Sequence, residues 1–78
     1  MDAPHIQLKL FAGLTAFSPR DAGRLRIVPG ISIKELLEDL DIPIYKAHLV
    51  FVDGVKKSLA AKLRGGERVG IFPPVAGG

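Results

Sequence analysis

Apolar and polar residues alternate from His5 to Phe11. Ile6, Leu8 and Leu10 share one face, and His5, Gln7, Lys9 and Phe11 share the other. That is the period of a half-buried strand, and it puts Phe11 on the face that is otherwise polar. Ala12 to Gly23 loses the alternation and carries turn chemistry at Ser18-Pro19 and Asp21-Ala22-Gly23. Within it, Leu14 and Phe17 stand three apart, as one helical turn covering the core edge would place them. Arg24 to Val28 predicts a second strand, with Leu25 and Ile27 inward and both arginines outward, hairpinned to the first. Pro29-Gly30 ends it.

A helix start follows. Ser32 stands at the cap and Glu35 at the third helical position, the spacing of a capping box, with Ile31 and Leu36 placed for a hydrophobic staple. Ile33, Leu36, Leu37 and Leu40 make one apolar stripe, with Lys34, Glu35, Glu38 and Asp39 off it on a solvated face. Ile42-Pro43 stops the helix, and Ile44 and Tyr45 are expected to pack on its end. From His48 to Val52 the chain is nearly continuously apolar, as a strand covered on both faces would be. Asp53-Gly54 predicts a tight hairpin into a short return strand, Val55 to Ser58, whose Lys56 and Lys57 guard an edge. Leu59 and Leu63, four apart, suggest another helical turn. Gly65-Gly66 is a turn without the strand and helix that a phosphate-cradling loop needs. Arg68 to Phe72 is the last strand, with Val69 and Ile71 on one face and Gly70 and Phe72 on the other.

The order β-β-α-β-(β)-β around one good helix predicts an α+β fold: a β-grasp, or ubiquitin-like, mixed sheet of four to five strands curled over that helix. The expected core is Ile6, Leu8, Leu10, Leu25, Ile27, Ile33, Leu36, Leu37, Leu40, Val50, Val52, Leu63, Val69 and Ile71, with Leu49 and Phe51 competing with Val50 and Val52 for the inward side. At 78 residues the chain is one domain near the lower size for a self-sufficient core. We divide it into a domain over 1–72 and an extended flexible tail over 73–78. The absence of cysteine rules out a disulfide framework, a thiolate metal site and a thiol nucleophile. No metal or bound cofactor is expected, and His5 reads as a surface residue at a strand start. No apolar run spans a bilayer and no signal-peptide pattern opens the chain, so a soluble, cytoplasmic protein without membrane contact is expected. The net charge of +3 is scattered among acids, so nucleic acid is not the expected partner.

The end of the chain carries the chemistry. Ile71-Phe72 runs into Pro73-Pro74, then Val75-Ala76-Gly77-Gly78. The prolines favour an extended chain. From Pro73 on, the tail would reach roughly 20 Å at ~3.3 Å per residue. Gly77 and Gly78 have no Cβ, so such an end could thread a narrow tunnel and present its terminal carboxylate to another protein's active site.

These residues, with the opening IQLKLFAGL, the capped helix, the VFVDG turn and the closing LRGGERVGIFPPVAGG in that order, resemble the MoaD/ThiS family of ubiquitin-like sulfur carriers, and within it the small subunit of molybdopterin synthase. Asp53-Gly54 and Gly65-Gly66-Glu67 depart from the family's usual turns without touching the tail. The resemblance implies that the first and last strands lie parallel at the sheet centre. It also implies that an ATP-dependent, ubiquitin-activating-like adenylyltransferase (MoeB-like) adenylates Gly78, that sulfur displaces AMP to leave a thiocarboxylate, and that the tail then enters the synthase large subunit (MoaE-like). Catalytic side chains would belong to the partner. Pro73, Pro74, Val75, Ala76 and Gly77 would thread that site, and Phe11, Phe51 and Phe72 would form the docking platform. Sulfur transfer toward thiamine or another product, and conjugation through Gly78 as a protein modifier, use the same terminus and stay open. A basic RNA-binding module is the weakest reading.

Overall fold

The computed structural model describes residues 4–74. A five-stranded sheet has the order β2-β1-β7-β4-β5, with β1 His5–Leu10, β2 Leu25–Arg26, β4 Leu49–Val52, β5 Val55–Lys57 and β7 Arg68–Phe72. A separate two-stranded piece pairs β3, Ile31–Ser32, with β6, Lys62–Leu63. The helix α1 spans Ile33–Asp39. β1 and β7 are parallel, Leu8 beside Val69 and Leu10 beside Ile71, while β2 on β1, and β4 on both β7 and β5, are antiparallel. This is the β-grasp arrangement expected from the order of elements, with the parallel pairing of first and last strands that the family resemblance implied.

Alternation decides the two faces. Ile6, Leu8 and Leu10 from β1, Val69 and Ile71 from β7 and Val50 from β4 are buried, together with Ile33, Leu36 and Leu37 of α1. Val50 and Val52 point to the core side, and Leu49 and Phe51 to the other. Three expected core residues, Leu25, Leu40 and Val52, are only partly buried against it, and three others join it: Leu14, Ile31 and Ile42. Leu14 is carried inward by a 3₁₀ turn over Ala12–Phe17, the helical turn that its spacing from Phe17 predicted.

Both ends of α1 are closed by local chemistry. The Ser32 hydroxyl accepts from the Glu35 backbone N–H at 3.1 Å, and a Glu35 carboxylate oxygen accepts from the Ser32 N–H at 3.0 Å. Beyond Leu40, Asp41 takes a positive φ of 59°. Asp41 N–H then donates to Glu38 C=O, and Ile42 N–H to Leu37 C=O. This is a Schellman closure, and it seats Ile42 beside the helix end. Ile44 and Tyr45, expected there, are instead exposed: one apolar residue fills the position, and the following 3₁₀ turn, Ile44–Lys46, lifts them away.

Two other expectations are corrected. Leu59 and Leu63 do not form a helical turn. Ser58 accepts from Ala60 N–H, and the chain then extends so that Leu63 pairs with Ile31, a long-range partner that local spacing does not announce. The second strand is shorter than Arg24 to Val28, because a 3₁₀ turn occupies Ala22–Arg24 and Val28 lies exposed beyond the ladder. Among the described residues no helix is long and apolar enough to cross a membrane.

Candidate functional site

The outer face of the sheet, away from α1, holds three of the five aromatic residues, Phe11, Phe51 and Phe72. Because β1 and β7 run parallel with Leu10 beside Ile71, the next residue of each strand, Phe11 and Phe72, emerges on the same side. Phe11 N–H donates to Ile71 C=O at 3.1 Å, so Phe11 still rides on the ladder. The two rings stack with centroids 4.0 Å apart and planes 6° from parallel. Phe51, on β4, meets Phe72 edge-on at 5.7 Å. Such pairs are worth about 0.5–1.5 kcal/mol each beyond simple burial. Phe11, Phe51 and Phe72 are half-buried rather than fully exposed, because each shields the next.

Gly70 gives the rings their room. It sits between Lys9 on β1 and Phe51 on β4, and a Cβ there would lie 3.5 Å from the Phe11 ring and 3.9 Å from the Phe72 ring. An alanine would just touch both rings, and a longer side chain would have to displace them. A shallow trough of about 690 Å³ results, walled by Gln7, Lys9, Phe11, Phe51, Arg68 and Phe72. Its rim is basic. Lys9 Nζ lies 5.6 Å from the Phe11 ring centroid, Arg68 is beside Gln7, and Lys56 pairs with Phe51 across β4 and β5. Sequence reading found the three aromatics but missed this rim and Gly70. The signal was present in the same alternation, since Lys9, Arg68 and Gly70 share the outward parity of Phe11 and Phe72.

The tail leaves from this cluster. The last β7 carbonyl, that of Phe72, accepts from His48 N–H at 2.8 Å. Pro73 and Pro74 follow and have no N–H to extend the ladder, so pairing stops there. Pro73 is half-buried and Pro74 exposed. Val75, Ala76, Gly77 and Gly78, assigned to threading and to the reactive end, lie outside the described residues. Among the described residues no group of three His, Asp or Glu side chains is placed to hold a metal ion. The shifted acid, Glu35, belongs to the helix cap: the Ser32 backbone N–H, then the Ser32 hydroxyl, hold its carboxyl below the ordinary value, and Lys62 adds to this.

The profile of the ThiS family matches residues 9–78. Among curated proteins none matches the sequence. Among solved structures, the chain is similar to small archaeal modifier protein 1 from Haloferax volcanii, at 21% identity and a TM-score of 0.69 over 94% of this chain and 100% of that one. A second structure of that Haloferax volcanii protein gives 22% identity and a TM-score of 0.66, over 94% and 98%. It is also similar to a Pyrococcus furiosus protein described as a candidate molybdopterin converting factor, subunit 1, at 21% identity and a TM-score of 0.68 over 94% and 100%.

Proposed function

The chain belongs to the ThiS family, and from that premise we propose that it is a sulfur carrier whose C-terminal Gly78 is adenylated and then converted to a thiocarboxylate. A terminal carboxyl with an ordinary pKa of about 3.5 is ionised at neutral pH and resists nucleophiles. Attack of its oxygen on the α-phosphorus of ATP, with pyrophosphate leaving, makes an acyl-adenylate. A sulfur nucleophile at the sulfide level then attacks the acyl carbon, and AMP departs with one carboxyl oxygen. ATP and the catalytic side chains belong to the adenylyltransferase. This chain supplies the slim terminus and the surface that docks it.

The observation that carries this reading is the path of β7. A central strand runs beneath three clustered aromatic rings and ends at two prolines, six residues from the Gly-Gly carboxyl end. The surface that a partner would grip and the tail it would receive are thus continuous. The favoured acceptor pathway is molybdopterin synthesis, with this chain as the non-catalytic small subunit and its tail inserted into the large one. The similarity to the Pyrococcus furiosus protein is consistent with that choice. The similarity to a Haloferax volcanii modifier protein favours a second reading, attachment of Gly78 to lysines of other proteins. Reconstitution separates them. Thiocarboxylated chain mixed with the synthase large subunit and the pterin precursor is expected to yield the dithiolene product. A ladder of lysine conjugates on a denaturing gel, with no sulfur delivered, would favour the modifier instead.

A further inference from the structure

The two edges of the sheet are not alike. β5 closes one side with Lys56 and Lys57, a guarded edge. The other side ends in β2, only two residues long, and beside it the layer between sheet and helix is not fully covered. Leu25 and Leu40 are half-buried there, and Val28 is 73% exposed. Two hollows of about 420 Å³ each lie along this side and share Val28, Ile31 and Asp39. Together they form one groove with β2 on one wall and α1 on the other.

The backbone of β2 is oriented for a further strand. Ile27 N–H donates to Pro4 C=O at 3.0 Å, so Pro4 with Ile27 is a bonded position of the antiparallel ladder. Bonded and non-bonded positions alternate. Leu25 with Ile6 is therefore bonded, and Arg26 with His5 is not. The N–H and C=O of Arg26 turn away from β1, toward the open side. The α1 wall carries Glu35, Glu38 and Asp39, all exposed, and the capping bonds that lower the Glu35 pKa keep it ionised.

We propose that the groove between β2 and α1 is a second docking site, which takes an extended peptide segment of another protein as an added strand on β2. The Arg26 backbone supplies hydrogen bonds, and alternate apolar side chains of the peptide cover Leu25, Val28 and Leu40. Lys or Arg residues flanking that apolar core meet Glu38 and Asp39. Main-chain bonding gives affinity, and the alternate pockets and charge give selectivity. The groove shares no lining residue with the aromatic trough and does not depend on the chemistry of Gly78.

The test is selection from a phage-displayed random dodecapeptide library on the immobilised full chain, followed by fluorescence anisotropy with a synthetic copy of the enriched peptide. The expected consensus alternates Val, Ile or Leu and is flanked by Lys or Arg. Arg26→Pro removes the outward donor without touching a bond to β1, and Leu25 before it is already extended at φ −74°, ψ 121°. It should weaken binding at least tenfold with an unchanged melting temperature. Glu38→Lys with Asp39→Lys, both exposed, should do the same while leaving the fold intact, and Phe72→Asp should leave affinity unaltered. No enriched peptide, an acidic consensus, binding that survives both groove variants, or binding lost with Phe72→Asp would each overturn the proposal. So would self-association of the chain that Arg26→Pro abolishes, which would give the groove to a second copy.

Discussion

Single residues set both the shape of the trough and some of the strain in the chain. Phe72 touches Phe11 on one side and Phe51 on the other, so it is the keystone of the outer face. Phe72→Asp is expected to abolish binding to the large subunit that is proposed to receive the tail, measured by calorimetry, while the circular dichroism of the domain is kept; unchanged affinity would remove the platform. Gly70→Leu should give a similar loss by displacing the rings, whereas Gly70→Ala, in ordinary contact distance, should be tolerated. Ala12 is a different case. It holds a φ of 52°, in a region that costs a residue with a Cβ about 1–2 kcal/mol, and it is exposed. Part of that cost returns as the extra freedom glycine has when unfolded. Ala12→Gly should therefore raise stability by about 0.5–1 kcal/mol in urea titration, and a loss would show that the methyl group packs usefully.

At the scale of elements, α1 is short and depends on its closures and on one buried stripe. Leu37 is fully buried, and Leu37→Ala should cost about 2–5 kcal/mol, a large part of a small domain's stability. Ser32→Ala should cost about 1 kcal/mol through loss of the cap. The cap also makes stability depend on pH. Glu35 has a folded pKa below its ordinary 4.5, so its contribution is complete above that value and is lost as pH falls through the folded one. The melting temperatures of wild type and Glu35→Gln should therefore differ at neutral pH and converge in acid. The capping box, the Asp53-Gly54 hairpin and the alternating strands were legible in sequence because each is settled by neighbours in the chain. β6 was not, because Leu63 is set by Ile31 across the fold, and its four-residue spacing from Leu59 imitates a helix. Nor did local pattern distinguish Ile42 from Ile44 and Tyr45. The left-handed turn at Asp41 decides which of them faces the core, and aspartate at that position is a weaker signal than glycine.

For the molecule as a whole, the site was legible in part. Phe11 and Phe72 follow from alternation together with the parallel pairing of β1 and β7, a pairing that the family resemblance supplied and periodicity did not. The continuously apolar β4 left the face of Phe51 open, and its pairing with Gly70 on β7 decides it. The basic rim of Lys9, Lys56 and Arg68 appears only when the strands are laid side by side. Its expected effect is on encounter with an acidic partner surface: Lys9→Ala with Arg68→Ala should slow association and flatten its dependence on salt, with little change in dissociation. Stopped-flow measurements at several ionic strengths would check this. The sheet thus carries its aromatic cluster at the centre, a lysine-bearing edge at β5 and a two-residue edge at β2, while the group proposed to react, the Gly78 carboxyl, lies outside the described residues. The central claim is that sulfur rides on the last residue. One added residue moves the terminal carboxyl by roughly 3.5 Å, far outside the placement that efficient reaction tolerates. Gly77→Val would put a branched side chain where a narrow tunnel should accept only backbone. The direct measurement is intact-mass spectrometry, with fragmentation, of chain incubated with its adenylyltransferase, ATP and a sulfur source. Wild type should gain the mass of one oxygen-to-sulfur exchange, localised to Gly78, and chains lacking Gly78, extended by one residue, or carrying Gly77→Val should gain none while remaining folded. An equal gain in the chain lacking Gly78 would contradict the account.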